Sequence, residues 1–177
     1  MTTTAKYYTK GPRKHPIDLI VMHTMESQEL KGVAKRVAAW FGGKTAPQAS
    51  AHLTIDNADI VSVVDEQDIA WHSDEWNTNQ RSLGIELAGQ ASQTPAQWSD
   101  AYSTAMLNLA AKQVASWCKK YNIPVVKLTP AQVKAGGKGI CGHVDVTNGF
   151  AIKGGHTDPG KNFPWDSFIA LVQKYHG

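Results

Sequence analysis

Cysteine is scarce in this chain of 177 residues, which contains only Cys118 and Cys141. The two are too few and too widely separated for a metal site built on thiolates. The sequence alone cannot establish that their Cα atoms lie within disulfide-bonding distance. We therefore expect two free thiols, and we expect any metal site to use other ligands.

Long apolar runs are also missing. The first eight residues, Met1 to Tyr8, contain no apolar core of the kind that a signal peptide requires. No other stretch is apolar over the length needed to span a bilayer. These absences predict a chain that is made in the cytoplasm and has no membrane partner.

Runs of Lys and Arg with interleaved aromatic residues, which would indicate nucleic-acid binding, do not occur. The formal net charge of +3 is mildly basic and favours anionic surfaces without specifying nucleic acid. No internal repeat or linker divides the chain. We expect a single domain over residues 1–177, with no nucleic-acid partner, and a monomer for want of any interface signal.

Strand and helix patterns alternate along the chain and predict the α/β class. Ile17 to Met22 is apolar on both faces, as in a central strand covered by helices. Leu30 to Phe41 has helical spacing and ends at two glycines. Further strands are predicted at the following segments: His52 to Ile55 and Ile60 to Val64 as a hairpin, Ile69 to His72, Ser82 to Leu87, and Pro124 to Leu128.

The longest predicted helix covers Pro95 to about Tyr121. A helical turn is predicted from Pro130 to Ala135, and a closing helix follows Phe163. Four tryptophans at helical positions are predicted to belong to the core rather than to a carbohydrate platform: Trp40, Trp98, Trp117 and Trp165.

Three metal-capable side chains stand out. His23 follows the first apolar run, and His143 and Asp158 lie in segments rich in Gly and Pro that we predict to be loops. Loops near the C-terminus can fold back beside the first strand. Two histidines and an aspartate, with a fourth position left to water, form the ligand set of a catalytic zinc. The pattern therefore predicts one zinc ion and a hydrolase.

Glu86 lies in the strand from Ser82 to Leu87, whose residues Leu83, Ile85 and Leu87 share one face. Glu86 therefore points to the opposite face of the sheet. A carboxylate at such a position indicates either a solvated strand residue or a group with a chemical task.

Six segments together resemble the type 2 N-acetylmuramoyl-L-alanine amidases, the zinc amidases of phage endolysins and cell-wall recycling, which are related to peptidoglycan recognition proteins. In chain order the segments are Ile20 to Thr24, Ser50 to Asp56, Ala70 to Ser73, Asn79 to Leu87, Gly142 to Asp145, and Thr157 to Trp165. The resemblance implies a central mixed β-sheet flanked by helices on both faces. It also implies that the chain hydrolyses the amide bond between N-acetylmuramic acid and L-alanine.

Position by position, the resemblance makes His23, His143 and Asp158 the zinc ligands and Glu86 the catalytic glutamate. In another branch of the family a tyrosine precedes the histidine matched by His52. Here that position is Ala51, which fits a glutamate-dependent site.

His156 stands where many relatives have a lysine, so the resemblance implies that it stabilises the oxyanion formed at the amide carbonyl. An alternative makes His156 a zinc ligand with Asp158 beside it, and the spacing does not decide between the two. The resemblance also assigns substrate contacts to His72 and Asn79, and His52 either contacts substrate or orients a ligand. Trp76 lies in a polar stretch and is predicted to be an exposed substrate contact.

The resemblance implies a peptidoglycan or muropeptide substrate and, without a signal peptide, an endolysin that acts on the wall after release from the host cytoplasm. No wall-binding domain is recognised in these residues. Two alternatives remain open: a cytoplasmic recycling amidase acting on anhydromuropeptides, and a noncatalytic peptidoglycan-binding module. The intact ligand set and Glu86 favour an enzyme over the binding module.

Overall fold

A computed structural model describes residues 4–177. Met1 to Thr3, part of the stretch from which we predict that no signal peptide is present, lie outside the described residues. The elements in chain order are β1 (Tyr8–Thr9), β2 (Leu19–Thr24), α1 (Val33–Gly42), β3 (Leu53–Ile55), β4 (Ile60–Ser62), β5 (Ile69–Ala70), α2 (Trp76–Arg81), β6 (Ser82–Leu87), α3 (Pro95–Trp98), α4 (Ala101–Tyr121), α5 (Pro130–Lys134), β7 (Gly139–Gly142), α6 (His143–Phe150) and α7 (Trp165–His176).

Five strands form a mixed sheet in the order β4-β3-β6-β2-β7. In this order β3, β6, β2 and β7 run parallel to one another, and β4 at one edge pairs antiparallel with β3. The strands β1 and β5 pair separately as a short antiparallel ladder. β2 lies at an interior position with all six residues buried, as its apolar sequence predicts.

Helices cover both faces of the sheet, which confirms the predicted fold class. On one face, Ile20, Met22 and Ile85 pack in a core with residues of α4 and α7. On the opposite face, Leu19 and Val21 pack with α5 and α6, and α1 packs near β4 and β5. Alternate residues of each strand therefore point to opposite layers.

Several predicted boundaries are wrong. The single helix predicted from Pro95 to Tyr121 is divided into α3 and α4, because the Asp100 side chain accepts the Ser103 N–H (2.8 Å) and begins a new helix. No strand forms at Pro124 to Leu128, where Lys127 makes one isolated bridge to Ile140. The His143 segment, predicted to be a loop, is the start of α6.

Both cysteines are buried free thiols, as predicted. Burial raises the pKa of the Cys118 thiol to about 11 and raises that of Cys141 further above its ordinary value. Within residues 4–177, no helix has both the length and the apolar character required to cross a bilayer.

Candidate metal centre and active site

The parallel pairing of β2 with β6 places His23 directly opposite Glu86. Both residues lie near the carboxyl ends of their strands, where ligand sites of parallel sheets are found. Because residues that pair across neighbouring strands share a face of the sheet, both side chains point to the same layer. The strand pattern alone therefore brings these two groups together.

His143 reaches the same place as the first residue of α6, immediately after β7. The Asp145 carboxylate accepts the Gly142 N–H (2.7 Å) and stabilises the start of this helix. The Val144 N–H donates to the Asp158 carbonyl (2.9 Å), which ties the Asp158 loop to the helix. A Cβ at Gly142 would lie 2.6 Å from Pro159 Cδ, so a side chain there would push the loop away.

His23, His143 and Asp158 form one buried group. The distance from His23 Nδ1 to Asp158 Oδ2 is 3.2 Å, and that from His143 Nδ1 to Asp158 Oδ1 is 3.3 Å. Ligand atoms about 2.0–2.1 Å from a tetrahedral ion are roughly 3.3 Å apart. The spacing and the ligand types therefore fit a metal ion, and both histidines would bind through Nδ1.

The electrostatics of this group suit a cation. Burial raises the pKa of Asp158, but the contacts of its carboxylate with the rings of His143 and His23 outweigh that effect and hold the pKa well below its ordinary value. Burial lowers the pKa of His23 despite its contact with Asp158. An ionised carboxylate beside a neutral imidazole is the protonation state that a metal requires of its ligands.

Glu86 lies beside this group with its Oε2 atom buried and without a hydrogen-bond partner in the structure. Burial, together with the charges of Asp158 and Glu26, raises the pKa of Glu86 well above its ordinary value. A carboxyl group with a raised pKa can both accept and release a proton near neutral pH. This property distinguishes Glu86 from an ordinary solvated strand residue.

His156 lies over the site rather than in the buried group. Its ring stacks on His143, and 57% of its side chain is exposed. His156 Nε2 lies 3.4 Å from Asp74 Oδ2, and His143 Nε2 lies 3.8 Å from the same atom. Asp74, His143 and His156 thus form a second, more exposed group at which a cation could bind.

Asn79 and His72 line the cleft and also make hydrogen bonds within the protein. Asn79 Oδ1 accepts hydrogen bonds from the backbone of His72 (3.2 Å) and from the N–H (3.0 Å) and hydroxyl (2.8 Å) of Ser73. His72 is buried, with Nδ1 3.1 Å from His23 Nε2 and Nε2 3.0 Å from Ser82 Oγ. Both ring nitrogens of His72 thus have partners within the protein.

The structure does not bring His52 into the cleft, contrary to the substrate contact predicted for it. The side chain is fully buried, and its ring lies edge-on to that of His72 with the centroids 5.8 Å apart. Its Nδ1 accepts the Gly84 N–H (2.9 Å), and its Nε2 lies 2.8 Å from Arg13 Nη2. Burial, with a smaller contribution from Arg13, lowers the pKa of His52 to about 3.

A cleft of about 540 Å³ opens above the metal-capable group. Trp76 lines it and is 47% exposed, as predicted for a contact residue. Trp40 lines it equally and is also 47% exposed, so its predicted place in the core is wrong. Trp98 and Trp117 are buried as predicted, and Trp165 packs partly buried against the core.

Asp74 and Glu26 also line the cleft and were not predicted from the sequence. Glu26 Oε1 accepts hydrogen bonds from the Thr24 hydroxyl (2.6 Å) and the Ala91 N–H (2.9 Å), which hold its charge near Glu86. Their position in the chain is the only sequence signal for them: Asp74 follows His72 by two residues, and Glu26 follows His23 by three.

A buried His-His-Asp group beside a carboxyl group that can exchange protons is typical of metal-dependent hydrolases. The model of the N-acetylmuramoyl-L-alanine amidase family matches residues 13–161, so the chain belongs to this family and has amidase activity. It is 29% identical to N-acetylmuramoyl-L-alanine amidase A of Achromobacter lyticus over 86% of this chain and 81% of that protein.

Solved structures share the fold. A selenomethionine derivative of AmpD aligns with a TM-score of 0.67 and 22% identity, covering 96% of this chain and 92% of the other. A mutant endolysin from Bacillus subtilis aligns with a TM-score of 0.62 and 17% identity, covering 97% and 99% of the two chains. These alignments support the amidase fold, and the family makes peptidoglycan-type material the substrate class.

Proposed function

We propose that the chain is a zinc-dependent amidase that cleaves the bond between N-acetylmuramic acid and L-alanine in peptidoglycan, as an endolysin in phage-induced host lysis. In this proposal residues 1–177 form the catalytic domain. His23, His143 and Asp158 hold one zinc ion, Glu86 and His156 are catalytic, and Trp76 contacts the substrate. The family match supports the bond that is cleaved.

The observation that carries the proposal is the position of Glu86. Its unpartnered Oε2 atom and its raised pKa occur beside three buried groups that fit a metal ion. A noncatalytic binding module has no need of such a carboxyl group, because burying it without a partner destabilises the fold. The arrangement therefore supports catalysis rather than binding alone.

Zinc bound by these ligands would lower the pKa of a water molecule and polarise the amide carbonyl. Glu86 accepts the proton of the attacking water through its carboxylate and then donates that proton to the nitrogen of the departing L-alanine. One Glu86 side chain thus serves as base and then as acid, and it returns to its starting state with each turnover.

His156 supports the developing charge from the exposed side of the site. A ring N–H of His156 can donate to the carbonyl oxygen as that oxygen becomes negative, in either protonation state of the ring. Its stacking on His143 limits its movement, and Asp74 lies within 3.4 Å of its Nε2 atom. His156 therefore takes the place of the lysine found in many relatives.

Mass spectrometry of purified peptidoglycan after incubation with the protein tests this proposal. We expect zinc-dependent release of stem peptides with a free L-alanine amine, and no release by the zinc-chelated protein or by Glu86→Gln. Intact sacculi that retain bound protein would instead indicate a binding module. Cleavage at another bond would contradict the assigned specificity.

The endolysin role needs a second comparison. The protein should release peptides from intact sacculi at least as well as from soluble anhydromuropeptides of the same stem. Exclusive action on the soluble fragments would overturn the lytic role and favour a recycling amidase. Both outcomes would leave the amidase chemistry in place.

A further inference from the structure

A chain of polar contacts extends from His23 away from the cleft. His23 Nδ1 faces Asp158, and its other ring nitrogen, Nε2, lies 3.1 Å from Nδ1 of His72. His72 Nε2 lies 3.0 Å from Ser82 Oγ, and the Ser82 hydroxyl donates to the Thr78 carbonyl at 2.6 Å. All four residues are buried, so these contacts are made without water competing for them.

The last contact determines the direction of every hydrogen bond before it. A carbonyl oxygen can only accept, so the single proton of the Ser82 hydroxyl points at Thr78. Ser82 Oγ must then accept from His72, which places the His72 proton on Nε2. His72 Nδ1 is left as an acceptor, and it can be satisfied only by a proton on Nε2 of His23.

We propose that His72 and Ser82 are positioning residues that hold His23 in the Nε2–H tautomer, so that its bare Nδ1 points to the metal position. The proposal rests on the metal site of the proposed function. It assigns His72 a role different from the substrate contact predicted from the sequence. A neutral imidazole has one proton, and the nitrogen that is hydrogen-bonded elsewhere determines which nitrogen remains free for a metal.

The opposite arrangement is available and exchanges one hydrogen bond for another. His23 could donate from Nδ1 to Asp158 if His72 donated from Nδ1 to His23 and Ser82 donated to His72. The Thr78 carbonyl would then lose its 2.6 Å hydrogen bond inside the protein. The Thr78 hydrogen bond therefore favours a proton on Nε2 of His23, against the attraction of the Asp158 carboxylate for a proton on Nδ1.

The backbone of β6 makes room for this contact. A Cβ at Gly84 would lie 2.8 Å from His72 Cγ, so any larger residue would displace the ring. Ser82, Gly84 and Glu86 follow one another at intervals of two residues in β6, so all three lie on the same face of the strand. One strand thus supplies the end of the hydrogen-bond chain, the space for its ring and the carboxyl group of the site.

The first test is the tautomer itself, observed in the metal-free protein labelled with ¹⁵N-histidine by long-range proton–nitrogen correlation. We expect both His23 and His72 to carry their proton on Nε2. A proton on Nδ1 of His23 would overturn the proposal. This readout does not depend on activity, so it remains decisive even if the amidase assay fails.

The second test measures Zn²⁺ affinity by competition with a chromophoric chelator. His72→Phe keeps a ring but removes the acceptor, and we expect the affinity to fall by about 10- to 100-fold. Ser82→Ala should cause a smaller loss, since His72 remains in place. His72→Asn can return an acceptor oxygen near the position of Nδ1, and we expect it to restore part of the affinity.

His15→Phe is the matched control, because it removes an exposed histidine that does not line the cleft and should leave the Zn²⁺ affinity unchanged. Thermal unfolding of each metal-free variant separates loss of affinity from loss of fold. A folded His72→Phe protein with wild-type Zn²⁺ affinity would overturn the proposal. If the wild type itself failed to bind Zn²⁺, the proposed function would be wrong. The tautomer measurement alone would then decide whether His72 and Ser82 fix the proton of His23 on Nε2.

Discussion

The imidazole rings of His143 and His156 stack with their centroids 4.3 Å apart and their planes 14° from parallel. The stack joins a buried ring to an exposed one, since His143 is 4% exposed and more than half of the His156 side chain is accessible. The stack holds His156 at the mouth of the cleft, outside the buried group of His23, His143 and Asp158.

Replacing His156 by alanine should therefore lower turnover far more than it lowers zinc content. We expect kcat to fall by about 100-fold, the usual effect of losing one oxyanion donor. Steady-state kinetics and metal analysis of the purified variant measure the two quantities. His23→Ala is the comparison and should lose the metal. If His156→Ala also lost its zinc, His156 would be a ligand.

The buried carboxyl group of Glu86 should destabilise the metal-free protein at neutral pH. Its folded pKa is raised, so the protonated form is favoured in the fold, and this advantage is lost as the pH rises through the folded value. Glu86→Gln should therefore stabilise the metal-free protein more at pH 8 than at pH 4, by about 1.4 kcal/mol for each unit by which the pKa is raised. Urea unfolding at both pH values measures this difference.

Asp166→Asn supplies the control for that measurement, because Asp166 is an exposed carboxylate in the first turn of α7. Its replacement should give no gain in stability at pH 8. An equal gain for Glu86→Gln at both pH values would show that packing rather than charge is responsible.

Ligand chemistry and chain order were sufficient to predict which residues meet at the site, because His23 ends an apolar strand and the alternation of Leu83, Ile85 and Leu87 fixes the face of Glu86. The secondary structure around His143 was not predictable in the same way. The residues of α6 after His143 include two valines, a threonine, an asparagine and a glycine, all weak helix formers. The helix is held instead by Asp145 and by contacts with α5.

The two tryptophans of the cleft show a second limit. Helical spacing placed Trp40 among the apolar residues of α1, but Ala38 and Phe41 occupy the buried face and leave Trp40 exposed. Which edge of an apolar stripe faces solvent depends on the neighbouring elements. The buried contacts of His72 were not predictable from the sequence either, since its partners His23 and Ser82 lie 49 and 10 residues away in the chain.

The neutral, buried ring of His52 should make the metal-free protein sensitive to acid. Its pKa falls from 6.5 to about 3 on folding, so its contribution is fully present above pH 6.5 and is lost as the pH falls toward 3. His52→Gln should reduce the slope of unfolding free energy against pH by up to about 1.4 kcal/mol per unit in this range. His15→Gln, at an exposed position, should leave the slope unchanged, and an unaltered slope in His52→Gln would contradict the shift.

The exposed rings of Trp40 and Trp76 provide the last prediction. Both line the cleft and leave 47% of their surface accessible, so their removal sacrifices little packing within the fold. If they contact the substrate, Trp76→Ala and Trp40→Ala should each raise KM by about two- to twelvefold while kcat changes little, since an aromatic contact is worth roughly 0.5–1.5 kcal/mol. Kinetics on a soluble muropeptide measure both constants.

Val126→Ala, at a position 45% exposed and outside the cleft, should change neither constant. A fall in kcat without a change in KM would mean that the tryptophans shape the catalytic groups instead of binding the substrate.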